Sequence, residues 1–302
     1  MKCKPVDISG LRHLYPFESH YLDINGLKYH YVDEGRGDPI IMVHGNPTWS
    51  FYFRELINAL SSHCRTIVPD HIGCGLSDKP HIRSYDFELI NRVDDLDYLL
   101  NQLGVKKDIT LILHDWGGMI GMAYAVRHPE QVRRLVILNT YAFLPPADYR
   151  VPWAAYFIRH AGALASLAVL GLNLFSIAAL YLNSRQGLAR DVRKGLTAPY
   201  NCWKHRIAVL RFVQDIPLNR KDHSYQLAKS VDDNLAIFAD TPMLVCWGEH
   251  DFVFNHQFLK EWQNRFPKAD VHRFSDAGHY ILEDVPDKIV PLVLDFLQKN
   301  PL

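Results

Sequence analysis

The stretch Ile112-Leu113-His114-Asp115-Trp116-Gly117-Gly118 (ILHDWGG) runs an apolar strand directly into a helix. A turn this tight lifts one side chain above the edge of a sheet and needs small residues beside it. Gly117 and Gly118 supply them on the helix side, and Asp115 is the residue lifted. A serine there would mark an esterase; a carboxylate marks a nucleophile that forms an ester with carbon. Leu113 stands where serine enzymes usually carry a glycine. Asp also favours helix N-caps, so on this stretch alone Asp115 reads equally as a cap.

Outward from the turn, strands alternate with helices. Leu27–Asp33 alternates in polarity, whereas 39–43, 66–69, 109–113, 135–138 and 243–246 are short apolar runs, the pattern of strands buried on both faces. Helical patterns lie between them at 53–60, 87–103 and 119–127. This rhythm predicts an α/β fold with a mostly parallel sheet. It breaks after Thr140, turns helical from Phe143 to Leu218, and resumes at Met243. The expected organisation is a core over 1–142 and 219–302, interrupted by a helical cap over 143–218. An excursion between two strand ends has the form of a lid over an active site.

The 302 residues carry 33 Lys+Arg and 33 Asp+Glu. Zero net charge argues against a nucleic-acid partner, which requires a basic face. Five cysteines without a CxxC pair indicate neither a zinc ribbon nor a disulfide framework. They read as reduced thiols of a cytoplasmic protein, and the first ten residues hold no secretory signal. Within the cap, Ala161–Leu182 (AGALASLAVLGLNLFSIAALYL) has no charge. Its length suits a membrane span, but Asn173, two serines, two glycines and a mid-chain position favour buried cap helices. A sharper reading is a channel for alkyl chains, or a face that meets a partner or grazes a membrane.

Two further strand ends carry chemistry. Trp247-Gly248-Glu249-His250-Asp251 closes one strand, and Asp276-Ala277-Gly278-His279-Tyr280 follows another. The order Asp115, Asp251, His279 is the nucleophile, acid, histidine order of the α/β-hydrolase fold. His44-Gly45-Asn46-Pro47-Thr48-Trp49 follows the strand 39–43, where a developing anion is commonly bound. The Asn46 amide and the Trp116 indole are neutral donors suited to a leaving anion.

HGNPTWS (44–50), DHIGCGLSDKP (70–80) and HDWGG (114–118) together resemble the haloalkane dehalogenase branch of the α/β-hydrolases over essentially the whole chain. HDWGGMIGMAYA (114–125) and the cap stretch 198–218 look most like the β-lactone decarboxylases of bacterial long-chain olefin synthesis, which overlap the third subfamily of that branch. The resemblance implies Asp115 as nucleophile, His279 as base, Asp251 as the acid orienting it, and Asn46 and Trp116 as leaving-group donors. One dehalogenase subgroup places a Glu acid where this chain has Asn139, so Asp251 must serve.

The implied reaction is decarboxylation of a long-chain cis-β-lactone to an alkene and CO2. The alternative is haloalkane hydrolysis, with His279 activating water against an aspartyl ester. An epoxide hydrolase needs paired cap tyrosines, for which Tyr149, Tyr156, Tyr181, Tyr200 and Tyr225 are candidates. A non-catalytic member of the fold would have lost a triad residue, and none is lost here. No metal or cofactor is expected. The expected partner is an apolar small molecule, with homo-oligomer, biosynthetic-complex and peripheral membrane contacts open.

Overall fold

A computed structural model describes residues 3–146 and 149–302; Ala147 and Asp148, inside the expected cap, lie outside it. Eight strands form one sheet: β1 (His20–Ile24), β2 (Leu27–Glu34), β3 (Pro39–Val43), β4 (Arg65–Pro69), β5 (Ile109–Asp115), β6 (Val132–Thr140), β7 (Met243–Gly248) and β8 (Asp270–Phe274). Their order is β1-β2-β4-β3-β5-β6-β7-β8. From β4 to β8 every pairing is parallel, while β1 and β2 run antiparallel to their neighbours. β1 has no counterpart in the sequence reading. Its half-exposed edge lacks an apolar run, but Asn25 and Gly26 take the positive φ of a two-residue hairpin turn.

Period-two alternation sorts the apolar strands onto two faces. Ile41, Val43, Leu111, Leu113, Ile137 and Val245 pack with the helices Leu89–Gln102 and Trp116–Arg127. Ile40, Met42, Ile112, Val136, Leu138 and Leu244 pack with Arg54–Leu60 and Pro286–Lys299. Each fully buried aliphatic side chain contributes about 1.5–3 kcal/mol, so the five central strands form a rigid support for the loops at their carboxyl ends.

Between β6 and β7 the chain builds short helices, from Trp153–His160 to Ile207–Gln214, around a small core of their own that includes Ile158, Val169, Tyr200 and Leu210. The uncharged block is not one buried helix. It forms Gly162–Ser166, a π-helical turn Leu167–Gly171 and Leu174–Leu182, broken where Asn173 takes φ 56°. Ala165, Val169 and Leu180 are buried, whereas Leu164, Leu167, Leu172, Leu174 and Tyr181 are at least half exposed. Among the described residues no single helix is long and apolar enough to cross a membrane. The one pair of helices passing that test together, Trp153–His160 and Gly162–Gly171, is bent by 114°.

The expectation of five reduced thiols is corrected. Cys3 is bonded to Cys202, 199 residues away, with Cα atoms 5.8 Å apart. Asn201 donates to the Lys4 carbonyl (3.2 Å), holding the first residues against the cap and bringing the sulfurs within reach. Spacing in the sequence carries no sign of this pairing. Cys64, Cys74 and Cys246 are free.

Candidate active site

Asp115 ends β5 at φ 54°, ψ −127°, a conformation a non-glycine residue adopts only when its surroundings impose it. The surroundings are crowded. A Cβ on Gly117 would overlap the Val43 carbonyl, and one on Gly118 would overlap the Thr140 hydroxyl and the Tyr141 carbonyl. Thr140 donates its hydroxyl to the Asp115 carbonyl and so pins the turn. The N-cap reading of Asp115 fails: the residue sits at that position, but its side chain makes no capping bond. Oδ1 instead accepts from the Asn46 backbone N–H (2.6 Å), and Oδ2 lies 3.5 Å from His279 Nε2.

His279 donates from Nδ1 to Asp251 Oδ2 (2.8 Å), and all three side chains are almost fully buried. Asp251 Oδ1 accepts from the backbone of Val253 (2.7 Å) and Phe254 (2.9 Å). The remaining tie comes from Asn139, whose amide donates to Asp251 Oδ2 (2.9 Å) and the Gly248 carbonyl (3.1 Å) while accepting from the Gly248 N–H (2.8 Å). In the sequence Asn139 registers only as a missing Glu; in the structure it locks the acid in place.

Other positioning groups left no signal in the sequence. His114 bonds the His279 carbonyl (2.9 Å), and burial drives its pKa down to about 3, so it stays neutral. Asp284 accepts from Gly278 N (2.7 Å), Ser184 and the backbone of 185–186, tying the histidine loop to the cap.

Charge follows from this geometry. Burial opposes ionisation of His279, but Asp251 and Asp115 outweigh it and push the pKa up to about 10. Burial likewise disfavours the Asp115 carboxylate, and the hydrogen bond and charge of His279 reverse that, holding its pKa below the ordinary value. The geometry favours an imidazolium at His279 beside an ionised Asp115.

Asp115 and His279 form the floor of an apolar cavity of about 180 Å³, walled by Asn46, Trp116, Tyr141, Phe175, Ala178, Val213, Phe254 and other residues, with the exposed Leu182 and Phe252 also on its wall. The structure therefore brings all five expected site residues together. Asn46 takes part differently from expectation: its backbone N–H meets the nucleophile, while its side-chain amide donates to the Val209 carbonyl of the cap (3.0 Å). Two neighbours on the same loop also bond the cap, Thr48 O accepting from Tyr200 (3.4 Å) and Trp49 donating to Gly195 O (3.0 Å).

The paired-tyrosine arrangement of an epoxide site is not assembled from the five candidates, and Tyr225, at the start of the helix Tyr225–Asn234, does not line the cavity. Tyr149 lines the cavity but donates to Val253 O (3.0 Å), Tyr200 is bonded to Thr48, and Tyr156 and Tyr181 are more than half exposed.

Residues 38–286 match the family described as alpha/beta hydrolase fold. The cis-3-alkyl-4-alkyloxetan-2-one decarboxylase of Shewanella oneidensis is 51% identical over 288 residues, covering 95% of this chain and 90% of that protein. Haloalkane dehalogenase 2 of Mycobacterium tuberculosis is 31% identical over 291 residues, covering 96% and 98%. Among solved structures, the haloalkane dehalogenase DatA of Agrobacterium tumefaciens superposes with a TM-score of 0.84 at 24% identity, over 94% of this chain and 97% of that one, a likeness of fold.

Proposed function

The chain belongs to the α/β-hydrolase fold family, in the branch of the β-lactone decarboxylases and haloalkane dehalogenases, and we propose that it decarboxylates a cis-3,4-dialkyl-β-lactone to an alkene and CO2. The observation that carries this reading is the 51% identity to a decarboxylase of that substrate class along nearly the whole chain. An apolar cavity ending on a buried carboxylate is consistent with it.

In this reading Asp115 attacks C4 of the lactone from the face opposite the ring oxygen. The aspartyl O–C4 bond forms, the C4–ring oxygen bond breaks, and a carboxylate is freed on C3. The Trp116 indole N–H and the N–H of the Asn46 side-chain amide that is not given to Val209 receive the new charge. The C3–carboxylate bond then breaks, its electron pair forms the C3=C4 double bond, and the Asp115 carboxylate leaves. Inversion followed by anti elimination keeps the alkene cis. The cycle consumes no water and returns Asp115 unprotonated.

His279 acts in this cycle as a fixed cation, oriented by Asp251, that keeps Asp115 ionised. Esterification of Asp115 removes one of the two charges that raise the His279 pKa, and Asp251 remains to favour the imidazolium, which takes no proton from water. Hydrolysis of a haloalkane would require the neutral imidazole once Asp115 is esterified.

The cavity volume of about 180 Å³ is below the ~300–1,000 Å³ of typical ligand pockets. It holds the reacting ring and adjoining carbons, and the alkyl chains run outward past Leu182 and Phe252 onto the apolar cap face. That face is also the place for peripheral membrane contact. The same small volume favours the second reading, dehalogenation through the same aspartyl ester.

Incubating the purified protein with a long-chain cis-β-lactone and, separately, with 1,2-dibromoethane separates the two. Alkene and CO2 in equal amounts support the decarboxylase; bromide release without alkene overturns it.

A further inference from the structure

The chain is neutral as a whole, but its charges are unevenly placed. Residues 149–214, most of the cap, hold nine Lys/Arg and a single acid, Asp191, so the compensating acids lie elsewhere in the chain. Lys194 pairs with Asp191 (2.8 Å), and Arg159 is taken by Asp222. Arg185 and Lys204 are exposed and Arg193 is half-buried, and none of the three forms an ion pair among the described residues.

The same segment exposes large apolar side chains. Trp153 is 82% exposed, and Leu164, Leu172, Tyr181 and Leu182 are each more than half exposed. Free cations stand beside them. The Arg193 guanidinium lies 5.9 Å from the centre of the Tyr181 ring, and Lys204 follows the half-exposed Trp203. Arg206 donates to the carbonyls of Leu170 (2.7 Å) and Gly171 (3.0 Å), holding the Trp203 turn against the turn Leu167–Gly171. Aromatic rings and leucines set among Lys and Arg make up a surface suited to the headgroup region of a bilayer.

The active-site cavity opens on this face. Leu182 is on its wall, and so are Ala154 of the helix Trp153–His160 and Ala178 of the helix Leu174–Leu182. All three are exposed as well, and a residue that both lines a cavity and meets solvent marks its mouth.

We propose that the cap face carrying Trp153, Tyr181 and Trp203 docks on an anionic lipid surface, with the cavity mouth turned toward the bilayer. The excess of Lys and Arg selects anionic headgroups, and the exposed Trp, Tyr and Leu side chains enter the interface. A second copy of this chain is a poor occupant, because a two-fold contact sets the same basic face against itself. What is collected there, a long-chain β-lactone, rests on the decarboxylase reading, whereas the docking surface stands without it. Long alkyl chains keep such a lactone in the bilayer, and a mouth held at the bilayer takes it in without passage through water.

The test is co-sedimentation of the full chain with vesicles of phosphatidylcholine alone and of phosphatidylcholine mixed with phosphatidylglycerol. Binding to the mixed vesicles should be at least about tenfold tighter than to the neutral ones, and should weaken as salt is raised. Lys204→Gln and Arg193→Gln should each weaken it by roughly fivefold, the loss for one charge near an anionic surface. Trp153→Ala should also weaken it, with an unchanged Tm. Binding to neither vesicle, equal binding to both, or parental binding by the Lys204→Gln, Arg193→Gln double variant overturns the proposal. So does self-association of the vesicle-free protein that Trp153→Ala abolishes, which makes a second copy the occupant. Alkene formed from detergent-dispersed lactone without vesicle binding overturns the docking and leaves the decarboxylase reading intact. Selective vesicle binding with no alkene from any lactone overturns that reading and leaves the docking surface standing.

Discussion

Replacing Gly45 by alanine puts a methyl group where the Asp115 carboxylate lies. A Cβ built on Gly45 overlaps Oδ1, Cγ and Cβ of Asp115, none of which is the free end of a mobile chain. Oδ1 is fixed by the Asn46 N–H at 2.6 Å, and the backbone of Asp115 is pinned by Thr140. Removing the overlap takes a retreat of roughly 1 Å, and misplacement of a reacting group by that distance costs about 100-fold in rate, or about 2.7 kcal/mol of barrier. The displaced carboxylate also loses a charge-assisted hydrogen bond worth about 1.5–3 kcal/mol. Gly45→Ala should therefore fold with a lowered Tm and release alkene at least about 100-fold more slowly, measured by gas chromatography under saturating lactone. Gly10→Ala, where a Cβ meets nothing within 4 Å, is the matched control and should leave both values unchanged. Parental turnover in Gly45→Ala would refute the reasoning, because it would mean the carboxylate does not react from its observed place.

Asp115→Asn should abolish turnover by on the order of 10⁴-fold or more, since a neutral amide forms no ester; activity equal to the parent removes the nucleophile assignment. The His279 imidazolium should persist through neutral pH and titrate near about 10 in an NMR pH series, with the pKa falling in Asp251→Asn. Its raised pKa contributes stability that is complete below the unfolded value of about 6.5 and is lost as pH rises through the folded one; a His279 titrating below 7 contradicts this. Asn139→Ala leaves the buried Gly248 N–H and one Asp251 oxygen short of a partner, and should lower stability by about 2–4 kcal/mol in urea unfolding.

Residues whose chemistry is local were readable in the sequence. ILHDWGG announces its turn because a strand, an acid and two glycines are adjacent, and Asp251 and His279 each follow a strand the pattern reveals. Partners that act across the fold were not readable. Asn139 looks unremarkable until Gly248 and Asp251 are seen beside it, 109 and 112 residues on. Cys3 and Cys202 share no local motif. The uncharged block was ambiguous for a different reason: hydropathy records that Leu164 and Leu170 are alike, and only packing decides that the first faces out and the second in.

The three bonds from the loop after β3 to the cap, made by Asn46, Thr48 and Trp49, act as an interlock. A cap that swings aside to admit a bulky guest withdraws the Val209, Tyr200 and Gly195 anchors together, and with them the support of the amide that steadies the nucleophile. With those anchors in place, the loop that offers the Asn46 N–H to Asp115 is braced from the cap side as well as from the sheet. A substitution at Val209, Tyr200 or Gly195 of the cap would thus be felt at the nucleophile's loop without touching a single reacting atom.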